Sequence, residues 1–461
     1  MENPFRNLPS VNDLLETPVL KKVVDTVSHN VVVDNVRSFL DEMRTKIKDK
    51  KEEYNVPTAS ELASTIADWI STQDDPPLQP VINGTGVILH TGLGRAPIAE
   101  EAIQAISEVS CGYASVEVSL KTGKRSQRIE AVEKLLCELT GAEAAAITNN
   151  NAAATMLTLA AIAAGQEVIV SRGELIEIGG SYRLPDVMSS SGATLKEVGT
   201  TNKTRAGDYE SAVGEQTAAL MKVHTSNYIV CGFTEAASIE ELVSIGRRKD
   251  VCVIDDVGSG ALIDFSKYGL NDEPSIRQSV DAGADLVLFS GDKLIGGPQC
   301  GIIVGKKKYV DRISKHPMMR AMRVDKMTLA ALAATLRLYR NLETAEAQIP
   351  LLQMLSTSIE NLRNRAERIL PRVEAFDWIE KVTLVEERSM LGGGSIPTQS
   401  VPTICLQLVA KSSSAQQVAD GLRQSATPIF GRVQNDVYHL DLRTILPQQD
   451  RKLLDALGTF K

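Results

Sequence analysis

The chain has 461 residues, 43% of them hydrophobic and 23% charged, with a formal net charge of −8. That is the make-up of an ordinary globular protein long enough for roughly two to four domains. No run of about 20 apolar residues is present, which excludes a membrane-spanning helix, and the acidic balance excludes a protein that coats nucleic acid non-specifically.

The start, Met1-Glu2-Asn3-Pro4-Phe5, lacks a basic segment followed by an apolar stretch, so no signal peptide is expected and a cytoplasmic location is. Residues 1–75 read as a small helical domain. Val19–Leu40 carries Leu20, Val23, Val24, Val27 and Val31 at helical spacing. A mixed-charge stretch follows at Met43–Glu53, in which the locally basic Arg44–Lys51 reads as a solvated helix face, and Thr58-Ala59-Ser60-Glu61 looks like the start of a helix running to Ile70. Asp74-Asp75-Pro76-Pro77 ends the region, because adjacent prolines cannot continue a helix.

From 76 to 315 short apolar runs alternate with helical patterns. Strands are predicted at Ala144–Thr148, Glu167–Ser171, Thr194–Val198, Ala218–Val223, Val251–Asp255, Leu286–Ser290 and Gly301–Val304. Most are continuously apolar, as in a mainly parallel sheet covered by helices on both faces. From 316 to 461 the pattern becomes that of a smaller α+β domain. A helical stretch runs from Lys326 to Ile369, broken near Ile349-Pro350. Strands follow near Lys381–Val385 and Thr403–Val409, a loop at Gly392-Gly393-Gly394 between them, then a helix at Ser414–Gln424 and strands near Ile429–Val433 and Val437–Leu442. The six cysteines (Cys111, Cys137, Cys231, Cys252, Cys300, Cys405) are scattered and read as reduced, buried thiols. Neither they nor His29, His90, His224, His316 and His439 show metal-ligand spacing, so no metal is expected.

Three features along the central region combine. Ile147-Thr148-Asn149-Asn150-Asn151-Ala152 leads from a strand into an Ala-rich helix, whose first amides can bind a phosphate. Cys252-Val253-Ile254-Asp255-Asp256-Val257-Gly258 puts two acids at the carboxyl end of a strand, the edge where open α/β sheets bind ligands. A carboxylate there can keep a pyridinium nitrogen protonated. Leu286–Ser290 runs into Gly291-Asp292-Lys293, then a Gly-Gly-Pro turn, and a lysine so placed can hold an aldehyde cofactor as a Schiff base. Each alone is commonplace: a helix cap, a turn, a surface lysine. Their order, with strands between, is not.

With these residues in place the chain resembles the fold-type-I pyridoxal-phosphate enzymes, with an aspartate-aminotransferase-like large domain. More narrowly it resembles the bacterial selenocysteine synthase family, the L-seryl-tRNA(Sec) selenium transferases. The resemblance covers nearly the whole chain, from Asn7-Leu8-Pro9-Ser10-Val11 through Ile82–Pro97, Val223–Tyr228, Asp255–Gly260, Ser290–Gly301 and Met319–Lys326. Gly84 and Gly92 stand where the pattern expects Ala and Asn, and Cys300 where Ala is common.

The resemblance implies that Lys293 carries pyridoxal 5'-phosphate and acts as general base, with Asp292 beside it mattering for chemistry. It implies that Asp255 pairs with the pyridine nitrogen, that Asn150, Asn151 and Ser290 hold the cofactor phosphate, and that His224 lines the ring. Arg95, Arg320 and Arg323 match arginines that grip selenophosphate. Fork-shaped cationic donors suit that anion, and Arg320 and Arg323, three apart, would share a helix face. The implied reaction eliminates the serine hydroxyl of seryl-tRNA(Sec) to an aminoacrylyl-tRNA and adds selenium. The resemblance also implies that residues 1–75 recognise the tRNA, although they hold nine Lys/Arg against fourteen Asp/Glu. It implies a homo-oligomeric ring, a decamer in the family, with active sites between neighbouring subunits.

Two other readings stay open: a related lyase or transferase acting on a small amino acid or amino sugar, and a non-catalytic tRNA-binding scaffold. A free amino acid would need an arginine for its carboxylate, and Arg432 and Arg443 are the candidates.

Overall fold

The structure, a computed structural model, describes residues 8–49, 57–73, 78–180, 182–225, 227–271, 273–392 and 399–460. The proline linker at 74–77, the charged residues 50–53, Gly393, Gly394, Asn7 and Ser226 lie outside the described residues. The chain divides into two compact units, Met1–Pro80 and Val81–Lys461.

The first unit is helical, with helices at Val11–Leu15, Pro18–Thr26, His29–Asp49 and Ala59–Gln73. Ser10 caps the first: its hydroxyl accepts from Asp13 N, while the Asp13 carboxylate accepts from Ser10 N at 3.0 Å. The single helix predicted over Val19–Leu40 is two helices. Val27 takes extended backbone (φ −122°, ψ 148°), where a β-branched residue followed by a serine favours a break. Leu14, Leu20, Val36, Leu40, Leu62 and Ile66 close the core, and Phe39 meets Trp69 edge-on at 5.7 Å.

The second unit is built on seven strands: β1 Ala144–Thr148, β2 Glu167–Ser171, β3 Thr194–Val198, β4 Thr217–Val223, β5 Cys252–Gly258, β6 Leu286–Ser290 and β7 Gly301–Gly305. Their order in the sheet is β1-β7-β6-β5-β4-β2-β3, parallel except for β7. Successive residues of a strand enter different cores: in β5, Cys252 and Ile254 pack in one, Val253 and Val257 in the other. Both faces are therefore apolar at the centre of the sheet, which is why most of these strands are continuous hydrophobic runs.

A second sheet of five strands follows the order Arg432–Gln434, Val437–Asp441, Ser400–Ala410, Ile379–Gly392, Val87–Leu89. Its last strand comes from the far end of the unit, so a segment predicted with the large domain completes the C-terminal sheet. Ile82–Asn83 likewise pairs with Ile429–Phe430. The helical stretch after 325 breaks more often than predicted, into Lys326–Leu338, Leu342–Gln348, Pro350–Ser356 and Ile359–Glu374. The added breaks fall where Asn341 and Ser358 cap the next helix with their side chains. Cys252, Cys300 and Cys405 are buried as expected, but Cys111 and Cys231 are exposed and Cys137 is half-buried. Among the described residues no helix is long and apolar enough to cross a membrane.

Candidate active site

Lys293 sits in the turn between β6 and β7, at the carboxyl edge of the parallel strands. Leu294 N bonds to Ser259 O at 3.0 Å, and Gly296 N closes the turn on Lys293 O at 2.9 Å. Gly296 needs its positive φ of 68°, and a Cβ there would lie 2.5 Å from Ile349 Cγ2. The lysine is 6% exposed. Burial pushes its ammonium below the usual lysine range; the Arg95 guanidinium adds to this, while Asp292 and Asp256 oppose it.

It lines a cavity of about 330 Å³ with Arg95, Asn150, Asn151, His224, Asp256 and Ser290. Asn150 caps the helix Asn151–Ala163: its side chain accepts from Ala153 N at 2.8 Å. Asn151 and Ala152, the first residues of that helix, line the cavity. Gly301 lets β7 pass close beneath this turn, since a Cβ there would be 2.1 Å from Asn150 O. Ser290 is buried at the end of β6.

Asp256 is the carboxylate that faces Lys293. Asn151 Nδ2 and Thr155 Oγ1 each donate to it at 2.9 Å, and burial raises its carboxyl against those two bonds. Asp255, predicted for this position, lies on the opposite side of the strand. It lines a neighbouring cavity of about 620 Å³ with Lys222 and Ser279, and burial raises its carboxyl to about 6. The physical reason is the two-residue period of the strand, which sends Asp256 to the side of Ile254 and Asp255 to that of Val253. The Asp-Asp pair signals a strand-end carboxylate; which one faces the lysine depends on where the covering helices pack. Thr155, Tyr182 and Gln299 also belong to the site without having been predicted. Thr155 sits one helical turn after Asn151, the sequence signal that could have found it.

His224 follows β4 directly, its N bonded to Asp256 O at 2.9 Å. Burial, with Lys293 and Lys222 nearby, lowers its imidazole to about 4, so the ring is neutral at neutral pH. Its Nε2 is buried without a partner, as is Asn151 Oδ1.

Arg95 reaches the cavity from a separate turn. Its backbone is left-handed (φ 63°), uncommon for a non-glycine residue and costing about 1–2 kcal/mol. Its Nη1 donates to Asp292 Oδ2 at 2.7 Å, with Asp292 side-chain exposure of 8% and Arg95 of 31%. Asp292 therefore acts on the cavity through Arg95, which lines it.

Arg320 and Arg323 are not brought to Lys293 within this chain. The short helix Met319–Met322 ends before Arg323, which is extended (φ −68°, ψ 150°), so the two do not share a helix face as predicted. Arg320 is exposed, and Arg323 lines a third cavity with its Nη1 3.7 Å from Glu117 Oε1. Arg443 is buried and donates to the carbonyls of Pro402, Met354 and Thr357, and Arg432 pairs with Glu387. Neither lines the Lys293 cavity, although Arg432 Nε is left without a partner. His90 is a turn residue, its carbonyl accepting from Leu93 N and Arg95 N at 3.0 Å.

The residues fit a pyridoxal-phosphate ring. A buried amine, a carboxylate on the same cavity, the first residues of a helix and two unpartnered buried polar atoms surround one space. A mainly parallel seven-stranded sheet carrying such a lysine after a β-strand defines the fold-type-I class of pyridoxal-phosphate enzymes. The solved structure of D-glucosaminate-6-phosphate ammonia-lyase shares the fold, with TM-score 0.58 and 23% identity over 85% of this chain and 97% of that one.

The family profile described as L-seryl-tRNA selenium transferase matches residues 81–446, and one described as selenocysteine synthase N terminal matches residues 5–44. An L-seryl-tRNA(Sec) selenium transferase of Alkaliphilus metalliredigens is 46% identical over 98% of this chain and 97% of its own length. One of Geobacter sulfurreducens is 43% identical over 98% of both. The chain belongs to the L-seryl-tRNA selenium transferase family.

Proposed function

We propose that this chain converts seryl-tRNA(Sec) to selenocysteinyl-tRNA(Sec), taking selenium from selenophosphate, with pyridoxal 5'-phosphate held at Lys293. The observation that carries the reading is the buried Lys293 sharing one cavity with Asp256, His224 and Arg95, in a chain of this family. When bound, the cofactor supplies an electron sink for the bonds at the serine Cα.

The chain's own residues do the rest. Burial keeps Lys293 ready to lose its proton, so its amine would hold the cofactor and could move the proton at the serine Cα. Asp256, oriented by Asn151 and Thr155, would keep a proton on the ring nitrogen, the role first expected of Asp255. The start of the helix after Asn150, with Ser290, would hold the cofactor phosphate. Neutral His224 offers its unpartnered Nε2 to the ring side of the cavity. Arg95, fixed by Asp292, presents its remaining donors to the selenophosphate anion.

The absence of Arg432 and Arg443 from the lining of the Lys293 cavity favours an esterified serine over a free amino acid. Arg320 and Arg323 lie outside the Lys293 cavity, which suits a homo-oligomeric ring in which they serve a neighbouring copy. The helical unit at the start of the chain recognises the tRNA, and the reaction runs in the cytoplasm.

Borohydride reduction of the protein mixed with pyridoxal phosphate, followed by peptide mapping, tests the cofactor site. The label is expected on Lys293. A label on other lysines, with Lys293 unmodified, contradicts the assignment.

A further inference from the structure

The Lys293 cavity and its larger neighbour share a wall made by Val223 and His224. At about 330 Å³ the first is at the small end of ligand pockets, room for a cofactor and a seryl group but not for a nucleoside. In a seryl-tRNA the ribose of the terminal adenosine is only an ester bond away from the serine. The nucleoside must therefore lie beside the Lys293 cavity.

The neighbouring cavity, about 620 Å³, has the chemistry for it. Thr200, Thr201, Asn202, Thr225 and Gln278 bring neutral donors and acceptors to its wall. Glu174, Glu235, Glu240 and Asp255 outnumber Lys203 and Lys222, and Glu174 already pairs with Lys222 at 3.2 Å. Phosphates are repelled from such a space, whereas an uncharged ribose and base are not. Lys203, on the cavity wall, has its Nζ 3.2 Å from the centroid of the ring of Phe233, which is 82% exposed and directly precedes the wall residue Thr234. The loop is tied in place: Asn202 Nδ2 donates to Phe233 O at 2.7 Å, and Glu235 N to Asn202 O at 3.0 Å. An exposed aromatic ring backed by a cation is the platform on which single-stranded bases stack.

We propose that this cavity, with Phe233 beside its wall, receives the terminal adenosine of the charged tRNA as a neutral nucleoside, its phosphates remaining outside. The inference rests on the reading of seryl-tRNA(Sec) as the substrate.

The test is steady-state turnover of seryl-tRNA(Sec) by the cofactor-loaded wild type and Phe233→Ala, with tRNA binding measured alongside. KM is expected to rise about tenfold in Phe233→Ala. Affinity for a tRNA lacking its terminal adenosine is expected to be equal in both proteins. An unchanged KM overturns the inference, as does an equal loss of affinity for the shortened tRNA. A changed assembly mass in Phe233→Ala, by sedimentation, also overturns it, making the face a contact between copies. Independently, wild-type protein is irradiated with tRNA carrying an azido-adenosine at its end. Attachment within 200–204 or 229–236 supports the site, and attachment confined elsewhere overturns it. Wild-type protein that makes no selenocysteinyl-tRNA defeats the substrate reading itself; an active wild type with an unaffected variant defeats only the cavity.

Discussion

Asp255 and Asp256 are neighbours in sequence with different surroundings. Asp256 takes hydrogen bonds from Asn151 and Thr155 on the Lys293 side, and Asp255 faces Lys222 and Ser279 on the other. Asp256→Asn is expected to lower turnover about 100-fold and Asp255→Asn only severalfold, the difference between a group that meets the reacting system and one that does not. Comparable losses in kcat would contradict the assignment.

Asp255 also carries a pH signature. Its folded carboxyl is raised from 3.8 to about 6, so between those values the folded state binds a proton that the unfolded state has released. Stability from this group is then full below about 4, falls as pH rises to about 6, and is flat above. Asp255→Asn removes that fall, leaving the variant about 2–3 kcal/mol more stable than wild type at pH 7.5 and little changed near pH 4. His224, lowered to about 4, gives the opposite slope in both proteins, so the difference in urea midpoints isolates Asp255. A difference that does not vary with pH would contradict this.

At the scale of elements, the turn after β1 and the strand β7 are held at backbone contact by Gly301. Gly301→Ala would put Cβ 2.1 Å from Asn150 O and 2.6 Å from Thr148 Oγ1, so the turn or the strand must shift. Pyridoxal phosphate is expected to bind at least about tenfold more weakly, read by absorbance titration. Wild-type affinity would show that the helix-opening amides do not hold the phosphate.

The strands of the large sheet were legible because most are local apolar runs bounded by turn residues. The strand Val87–Leu89 was not, since its partner Met390–Gly392 lies about 300 residues away and no local pattern announces it. The choice between Asp255 and Asp256 was hidden for a related reason: strand periodicity gives opposite faces, but not which face a distant lysine approaches. The shared helix face of Arg320 and Arg323 failed because the helix stops between them, and spacing alone does not reveal a terminus.

At the scale of the whole molecule, the proposed division gives tRNA recognition to the first compact unit and the chemistry to the second. The buried residues of the first unit close their own core, and among the described residues the Lys293 cavity is lined from the second. Removing residues 1–80 is expected to leave pyridoxal-phosphate uptake within about twofold while weakening tRNA(Sec) binding at least about 100-fold. Unchanged tRNA affinity in the truncated protein would contradict that division.

The most direct measurement is the identity of the product. The protein is loaded with pyridoxal phosphate and given serine-charged selenocysteine tRNA and selenophosphate. The ester is then hydrolysed and the released amino acid identified. Selenocysteine is expected, and Lys293→Ala is expected to yield none while still binding the tRNA. Unchanged serine from protein that has taken up the cofactor at Lys293 would contradict the proposed activity and favour a small-molecule substrate.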